Sequence, residues 1–186
     1  MRYTENGFLD DDFGIQGVVF TPLGNSTDYV HGITIQKDNK IIVVGTTHNA
    51  RDQKQHHLFV ARYNEDGTLD TSFGSTGIIE LRPGKNNSIA YDVAVQKDGK
   101  IIVVGTSISP TDKNQFTLIR LHNNGSPDTS FGPNGNGTIT VTPTNNVNDN
   151  AYARSVALDE YENIIVMGYT IANNTYNYFS LVRFNP

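Results

Sequence analysis

The stretch KDGKIIVVGT at residues 97–106 is repeated almost letter for letter as KDNKIIVVGT at residues 37–46, and a third version, YENIIVMGYT, occupies residues 161–170. Repetition at a fixed step indicates one structural unit copied along the chain. A Phe-Gly pair keeps a similar step at residues 13, 73 and 131. The 186 residues are therefore interpreted as a single repeat domain with units at about 1–63, 64–121 and 122–186.

Each unit contains four short strand signals, labelled A to D, which in the first unit cover residues 17–21, 29–36, 40–46 and 58–63. The B-to-C connection QKDGK at residues 96–100 contains Asp-Gly, a pair that supplies the positive φ angles of a tight hairpin, and Asn39 replaces the glycine in the first unit. Strand C, IIVVG, is apolar on both faces, which indicates burial between two stacked sheets. The third unit has DEYEN at residues 159–163 instead, which leaves its turn type open.

Four-stranded antiparallel units packed face to face are typical of a β-propeller. A β-sandwich of independent strands is the competing fold, but it does not require near-identical phrases at a fixed step. We therefore expect an all-β, β-propeller-like chain of three four-stranded antiparallel blades. A propeller needs about four to eight blades to close, and three alone leave two apolar faces open. We expect either a homodimer that completes a six-bladed ring or further repeats of a longer parent chain.

Two segments resemble a known family: ARYNEDGTLDTSFGSTGII at residues 61–79 and AYDVAVQKDGKIIVVGT at residues 90–106. They are similar to the delta-60 repeat of bacterial β-propeller-like proteins, and the likeness extends over essentially the whole chain. The resemblance implies a propeller-like fold. It implies no reaction, cofactor or catalytic residue.

Composition and charge narrow the possible partners. The formal net charge of −5 is spread over both signs, without the basic stripe that neutralises phosphates, so we expect no nucleic-acid partner. No apolar run approaches the roughly 18 residues of a membrane span. The absence of cysteine excludes disulfides, thiolate metal sites and cysteine nucleophiles. The first residues do not resemble a signal peptide, so the compartment is open: cytoplasmic, or secreted if a leader has been removed.

An arginine stands eight residues before an aspartate in each unit, and a phenylalanine follows three residues later. We interpret this recurring set as structural, with the ion pair holding the D-to-A connection and the phenylalanine filling the space beneath it. The last arginine has no following aspartate. The set comprises Arg2, Arg62, Arg120, Arg183, Asp10, Asp70, Asp128, Phe13, Phe73 and Phe131.

Two patterns suggest a metal site but are better explained otherwise. The stretch NEDGTLD at residues 64–70 is similar to the start of a calcium loop, but Ser75 occupies the place of the closing glutamate, and a turn with Asx hydrogen bonds explains the same residues. His56 and His57, together with His31 and His48, suggest a metal site or a general base, but adjacent strand residues such as His56 and His57 point to opposite faces. We therefore expect neither a metal nor a cofactor.

The A-to-B and C-to-D loops differ in every unit, whereas the other connections are nearly constant. In a four-stranded blade these two loops emerge at one edge, where loops commonly carry function. Alignment on strand B places His31, Tyr91 and Arg154 in one slot, which can build an asymmetric pocket. The residues expected to contact a ligand are His31, Asp92, Arg154, Arg51, His57, Tyr152, Tyr176 and Tyr178.

These features favour a non-enzymatic binding or scaffold module that recognises a protein or glycan through the varied loops on one face. The alternative is a propeller-based hydrolase or lyase that uses His31, Asp92 and Arg154. A second alternative is a purely structural surface repeat. No G-x-S-x-G frame or phosphate-binding glycine loop points to a particular reaction.

Overall fold

The computed structural model describes residues 1–23, 27–48, 55–85 and 87–186, which form three antiparallel β-sheets. The expected all-β class is confirmed, since no described residue is helical. Consequently no helix in these ranges is long and apolar enough to cross a membrane. Sheet 1 contains β1 (Asp28–Ile35), β2 (Ile41–His48), β3 (His56–Tyr63) and β4 (Ile78–Leu81); sheet 2 contains β5 (Ser88–Val95), β6 (Ile101–Ile108), β7 (Asn114–Leu121) and β8 (Thr138–Val141); sheet 3 contains β9 (Asn150–Leu158), β10 (Ile164–Ala172) and β11 (Tyr176–Phe184).

Each complete sheet takes its fourth strand from the following sequence unit. Strands β1, β2 and β3 correspond to B, C and D of the first unit, whereas β4 is strand A of the second. The sheets therefore span residues 28–81, 88–141 and 150–184, offset from the repeat units at 1–63, 64–121 and 122–186. Two sheets have the expected four strands. The third has three, because no described strand pairs with the outer edge of β11.

The strand expected at residues 17–21 is absent. In the N-terminal segment, residues 1–23, the only β contacts are isolated bridges from Tyr3 to Leu9 and from Ile15 to Val18. The equivalent β4 pairs with residues 58–61 of strand β3, whereas here only Arg2 lies alongside and donates its N–H to the carbonyl of Gly17 at 3.0 Å. A strand needs a hydrogen-bonded neighbour along its length. Residues 19–21 have no such neighbour among the described residues, so they do not form a strand.

The three B-to-C hairpins share one turn. In sheet 2 the N–H of Gln96 donates to the carbonyl of Lys100 at 2.8 Å, and the N–H of Gly99 donates to the carbonyl of Gln96 at 2.9 Å. Only one residue of each turn has positive φ: Asn39 at 63°, Gly99 at 87° and Glu162 at 67°. This is a type I turn followed by one left-handed residue, rather than a turn in which Asp and Gly are both left-handed. It accommodates even DEYEN of the third unit.

Sheet 2 lies between the other two sheets and contributes to both cores. Ile101 and Val103 pack toward sheet 1, whereas Ile102 and Val104 pack toward sheet 3. All four side chains are at most 1% exposed. The burial of β6 on both faces confirms the prediction from its unbroken apolar run, and each such side chain stabilises the fold by roughly 1.5–3 kcal/mol.

A glycine follows the apolar run of each C strand because the first strand of the sheet bulges beside it. In sheet 2 the register of β5 on β6 shifts between Ala90 and Asp92, next to Gly105. A Cβ on Gly105 would overlap the carbonyl oxygen of Ile89, and the same overlap arises at Gly45 and Gly168. The glycine of the repeated phrase is therefore required by the bulge.

The D-to-A connections are built from the recurring arginine, aspartate and phenylalanine. Nε of the arginine lies 2.7, 2.7 and 2.8 Å from the aspartate Oδ2 in the pairs Arg2–Asp10, Arg62–Asp70 and Arg120–Asp128. The guanidinium carbon lies 4.9, 4.8 and 4.4 Å from the ring centroids of Phe13, Phe73 and Phe131 respectively. Nη1 of Arg62 also donates to the carbonyl of Asn123 in the next connection. These contacts link neighbouring sheets as well as closing each loop.

Two apolar faces have no sheet packed against them in the described ranges. The head face is the outward side of sheet 1, and it includes Val30, Ile33 and Ile35, which are 63%, 66% and 66% exposed. The tail face is the outward side of sheet 3, and it includes Met167, Phe179 and Leu181, which are 51%, 88% and 64% exposed. Such faces are larger than soluble monomers usually leave open.

Candidate functional site

The first strands of the three sheets, β1, β5 and β9, lie side by side, and each carries one bulged residue. Pairing with the second strand of each sheet skips His31, Tyr91 and Arg154. These are the three residues that the repeat alignment places in one slot. We call them the bulge row.

The bulge row forms a continuous stack with two more tyrosines. The rings of His31 and Tyr91 have centroids 5.3 Å apart. The guanidinium carbon of Arg154 lies 4.0 Å from the ring centroid of Tyr91 and 5.4 Å from that of Tyr169. Tyr152 stacks on Tyr169 at 4.8 Å with an interplanar angle of 19°. The arginine is thus held between two aromatic rings, a cation–π arrangement.

The bulge row is positively charged at its Arg154 end and neutral at its His31 end. Burial lowers the pKa of His31, and the nearby charge of Arg154 lowers it further, so the imidazole is neutral at neutral pH. Burial acts against the charge of Arg154, but contacts with Tyr169 and Tyr91 outweigh it and raise its pKa. Arg154 is exposed, and none of the described carboxylates pairs with it.

Asp92 follows the bulge in β5 and has a structural role. Its Oδ2 accepts hydrogen bonds from the hydroxyl of Ser155 at 2.8 Å and from the N–H of Val156 at 3.0 Å, while Oδ1 accepts from the N–H of Val93 at 2.9 Å. The aligned residue in β1 is Gly32, whose missing side chain leaves room for the backbone of Asp92. The carboxylate therefore ties sheet 2 to sheet 3.

The structure does not gather the other expected ligand residues around the bulge row, apart from Tyr152. His57 is 2% exposed, with Nδ1 3.6 Å from a carboxylate oxygen of Glu80 in its own sheet. Tyr176 and Tyr178 lie near each other on β11, the third strand of sheet 3, with ring centroids 6.4 Å apart. Arg51 lies outside the described residues. The described members of the set therefore lie in more than one place in the fold.

Two residues that the sequence interpretation missed complete the stack. Tyr169 stands where Thr46 and Thr106 stand in the other two copies of the repeated phrase, so its departure from the repeat was the available signal. Asn114 donates from Nδ2 to the hydroxyl of Tyr152 at 3.0 Å. It belongs to sheet 2, and no local pattern indicates this contact.

In sheets 2 and 3, where the structure describes them, the varied loops meet at one edge, as the strand order predicts. In sheet 2 the A-to-B loop donates from the N–H of Lys85 to the carbonyl of Ile108 at 2.9 Å, and Nζ of Lys85 pairs with Asp112 of the C-to-D loop at 2.9 Å. A cleft of about 430 Å³ lies between these loops and is lined by residues that include Ser107, Ser109 and Gln115. The cleft is partly open to solvent, and apolar atoms make up most of its exposed lining.

The NEDGTLD stretch forms a turn of its own. Oδ1 of Asp66 accepts hydrogen bonds from the N–H of Thr68 at 2.9 Å and from its hydroxyl at 2.7 Å, which is an Asx turn. His48 and His56 have ring centroids 4.1 Å apart. Across the described parts of the chain, no three His, Asp or Glu side chains are grouped so that they could hold a metal ion.

Comparison with known proteins supports the class of repeat. Residues 36–73 and 96–131 match a family described as a domain of unknown function (DUF5122) with a β-propeller fold. The two matches run from the B-to-C turn to the phenylalanine of the D-to-A connection in successive units and together cover less than half of the chain. No curated protein matches the chain significantly. The delta-60 resemblance stays a prediction.

Proposed function

We propose that the chain is a non-enzymatic β-propeller binding or scaffold module that recognises an anionic group of a protein or glycan at the bulge row. The observation that supports this is Arg154, an exposed guanidinium held between Tyr91 and Tyr169 with no described carboxylate as its partner. A single fixed positive charge on an aromatic platform is a common recognition element.

The stack favours a planar carboxylate as the ligand group. Stacking occupies the faces of the guanidinium and leaves N–H donors at its edge, where a carboxylate can accept two parallel hydrogen bonds. Within the described residues the competing contacts are the donation from Nη2 to the hydroxyl of Tyr169 at 3.3 Å and a side-chain hydrogen bond with Tyr91. Acidic peptide side chains and uronic acids both supply this group, and Tyr91 adds a surface against which a sugar ring or side chain packs.

The proposal includes assembly into a ring. The head and tail faces are apolar and uncovered, and sheets that follow one another in the chain bury the equivalent surfaces. A homodimer with six sheets, or additional repeats in a longer parent, covers both faces. A homodimeric ring carries two bulge rows, so a multivalent ligand gains affinity by contacting both.

The two alternatives have less support. A hydrolase or lyase at His31, Asp92 and Arg154 requires an acid or base free to exchange protons, but both oxygens of Asp92 accept hydrogen bonds from the protein. A purely structural repeat predicts that substitutions in the bulge row alter no interaction. The binding experiment below separates this second alternative from the proposal.

The test is binding to immobilised carboxylate polymers. Polygalacturonate and poly-glutamate present the carboxylate on a sugar and on a peptide, while dextran and poly-lysine are the uncharged and cationic controls. We expect retention on one of the two acidic polymers and a loss of about tenfold to a hundredfold in Arg154→Gln, as for a charge-assisted hydrogen-bonded pair. Tyr91→Ala is expected to weaken the same interaction by releasing the arginine.

Arg82→Gln is the matched control, because it removes an exposed arginine outside the bulge row. If it weakens binding as much as Arg154→Gln does, attraction is due to overall charge and the site is wrong. Equal retention of the wild type and Arg154→Gln on every polymer contradicts the proposal and favours the structural repeat.

A further inference from the structure

The N-terminal segment docks on sheet 1 as if it were the outer part of a preceding sheet. The N–H of Gly14 donates to the carbonyl of Asp66 at 2.8 Å, just as Gly74 donates to Asn124 at 3.0 Å one repeat later. Nη1 of Arg2 donates to the carbonyl of Glu65 at 2.6 Å, as Arg62 does to Asn123. Phe13 is buried like its equivalents. The segment therefore reproduces the contacts by which one sheet packs on the next.

What the segment lacks is a D strand beside residues 18–21. In sheets 1 and 2 the equivalent residues form β4 and β8 and pair with the third strand of the sheet, with Leu58 opposite Leu81 and Phe116 opposite Val141. The third strand of sheet 3, β11, has the opposite deficit: no described strand pairs with its outer edge. Within the described chain, residues 18–21 therefore lack a neighbouring third strand, and β11 lacks a neighbouring fourth strand.

We propose that β11 of one copy pairs with residues 18–21 of a second copy, so that the N-terminal segment becomes the fourth strand of the partner's sheet 3. This inference rests on the ring assembly of the proposed function and fixes its register. By equivalence with β3 and β4, Phe179 lies opposite Thr21, Ser180 opposite Phe20, Leu181 opposite Val19 and Val182 opposite Val18.

The apolar faces match in the same register. The face of sheet 1 that packs on sheet 2 includes Ile42, Val44, Leu58 and Val60. Their equivalents on the tail face are Ile165, Met167, Phe179 and Leu181. The head face offers them an apolar groove of about 380 Å³ between the N-terminal segment and sheet 1, lined by residues that include Phe13, Val19, Val30 and Ile33. The dimer contact thus repeats an interface already present within each chain.

Formation of this contact exchanges one arginine for another. Met1, Arg2 and Tyr3 occupy the position of the end of a D strand, the position that β11 of the partner would take. Met1 and Tyr3 are 75% and 56% exposed, so their displacement uncovers little apolar surface. Arg183 lies near the end of β11, at the repeat position of Arg2. Its charge lowers the pKa of Asp159, but its guanidinium forms no hydrogen bond or close ion pair within the described residues. In the dimer it takes the place of Arg2 on Asp10.

The contact is heterologous, with the tail of one copy on the head of the other. Such contacts close into a ring only if the rotation per subunit divides a full turn. Three sheets are half of a six-bladed ring, so two copies related by a two-fold axis make two identical contacts and leave no open face. A ring of two copies is therefore the expected end product rather than a filament.

A charge exchange between Asp10 and Arg183 tests the pairing by sedimentation or light scattering. We expect the wild type to be a dimer, and Asp10→Arg and Arg183→Asp each to associate about tenfold or more weakly, because like charges face each other at both contacts. Mixing the two variants is expected to restore the dimer, since both contacts of the mixed pair then join opposite charges. Arg2→Ala is expected to leave dimerisation unchanged or to strengthen it, because Arg2 competes with Arg183.

Asp11→Arg is the matched control, with the same charge change at the exposed neighbouring residue. A monomeric wild type overturns the inference. A dimer that persists in both single variants, or a mixture that stays monomeric, overturns the register. Loss of dimer in Arg2→Ala overturns the exchange of arginines.

An engineered disulfide keeps the register testable if Asp10→Arg fails to fold. The chain has no cysteine, so Phe20→Cys with Ser180→Cys introduces one pair, placed like the directly opposed Glu80 and Phe59. We expect covalent dimers under mild oxidation. Phe20→Cys with Leu181→Cys is the control, since neighbouring strand residues point to opposite faces. Equal cross-linking in both contradicts the register, and neither result bears on carboxylate binding by Arg154, which tests the proposed function separately.

Discussion

Strands β7 and β11 occupy the same place in neighbouring sheets but differ in burial. Phe116 and Leu118 of β7 are fully buried, whereas the equivalent Phe179 and Leu181 of β11 are 88% and 64% exposed. The two strands are similarly apolar. The difference comes from their neighbours, because β7 has β8 at its edge and sheet 3 across its face. A repeat therefore encodes surfaces for the next sheet, and the stability of each sheet depends on the one beside it.

Replacement of the two phenylalanines is expected to show the largest contrast. Phe116→Ala leaves a cavity between sheets 2 and 3 and is expected to lower the free energy of unfolding by about 3–5 kcal/mol. Phe179→Ala is expected to lower that of the dilute monomer by less than about 0.5 kcal/mol, because the side chain is already in water. Urea unfolding followed by circular dichroism measures both, since the chain has no tryptophan. Similar losses in the two variants contradict the contrast.

The recurring arginine provides a smaller contrast. Arg120 and Asp128 form a buried pair at 2.8 Å, so Arg120→Ala leaves the carboxylate short of a partner and is expected to cost about 1–3 kcal/mol. Arg183 is exposed and forms no close ion pair among the described residues, its charge acting only weakly on Asp159, so Arg183→Ala is expected to be near neutral in the monomer. Unfolding at low protein concentration compares the two. A large loss in Arg183→Ala shows that it already has a partner within its own chain.

Acid provides the smallest contrast, and it acts mainly through the buried aspartates of the D-to-A connections. Burial alone raises the pKa of Asp128, but hydrogen bonds from Ser130 and the charge of Arg120 outweigh it and hold the pKa at about 2, below its ordinary value of 3.8. The folded state therefore resists protonation, so this stabilisation is complete above about pH 5 and is lost as the pH falls through 3.8 toward 2. We expect about 1–2 kcal/mol of acid destabilisation from this group.

Urea midpoints of the wild type and of Asp128→Asn between pH 5 and pH 2 measure this contribution. The variant is expected to be less stable at pH 5 and to change less as the pH falls. Parallel profiles show that the carboxylate of Asp128 does not contribute.

The sequence predicted those features that depend on local pattern. The repeated phrase gave the position of strand C, its burial on both faces and the single slot shared by His31, Tyr91 and Arg154. It did not reveal that β4 joins the sheet of the preceding unit, because the pairing of Leu58 with Leu81 is a long-range contact, and strand order along the chain does not fix it.

The candidate site was predictable in part for the same reason. Alignment of the repeats identified the bulge row, because its three residues occupy the same position in successive units. Tyr169 reaches Arg154 from the neighbouring strand, and Asn114 reaches Tyr152 from another sheet, so both depend on side-chain geometry across strands. The positions of three other residues also differ between units, namely His57, Tyr176 and Tyr178. Variation between units does not show whether a residue lies near the bulge row.

Each sheet contributes one bulged residue to the surface formed by the first strands. The glycine beside each bulge makes room for it, so the bulged residue can differ between sheets without a change in the packed core. The three bulged residues can therefore be replaced without a change in the buried apolar residues of the repeat. Each added unit would lengthen the row by one residue, so the chemistry of this surface can change independently of the core.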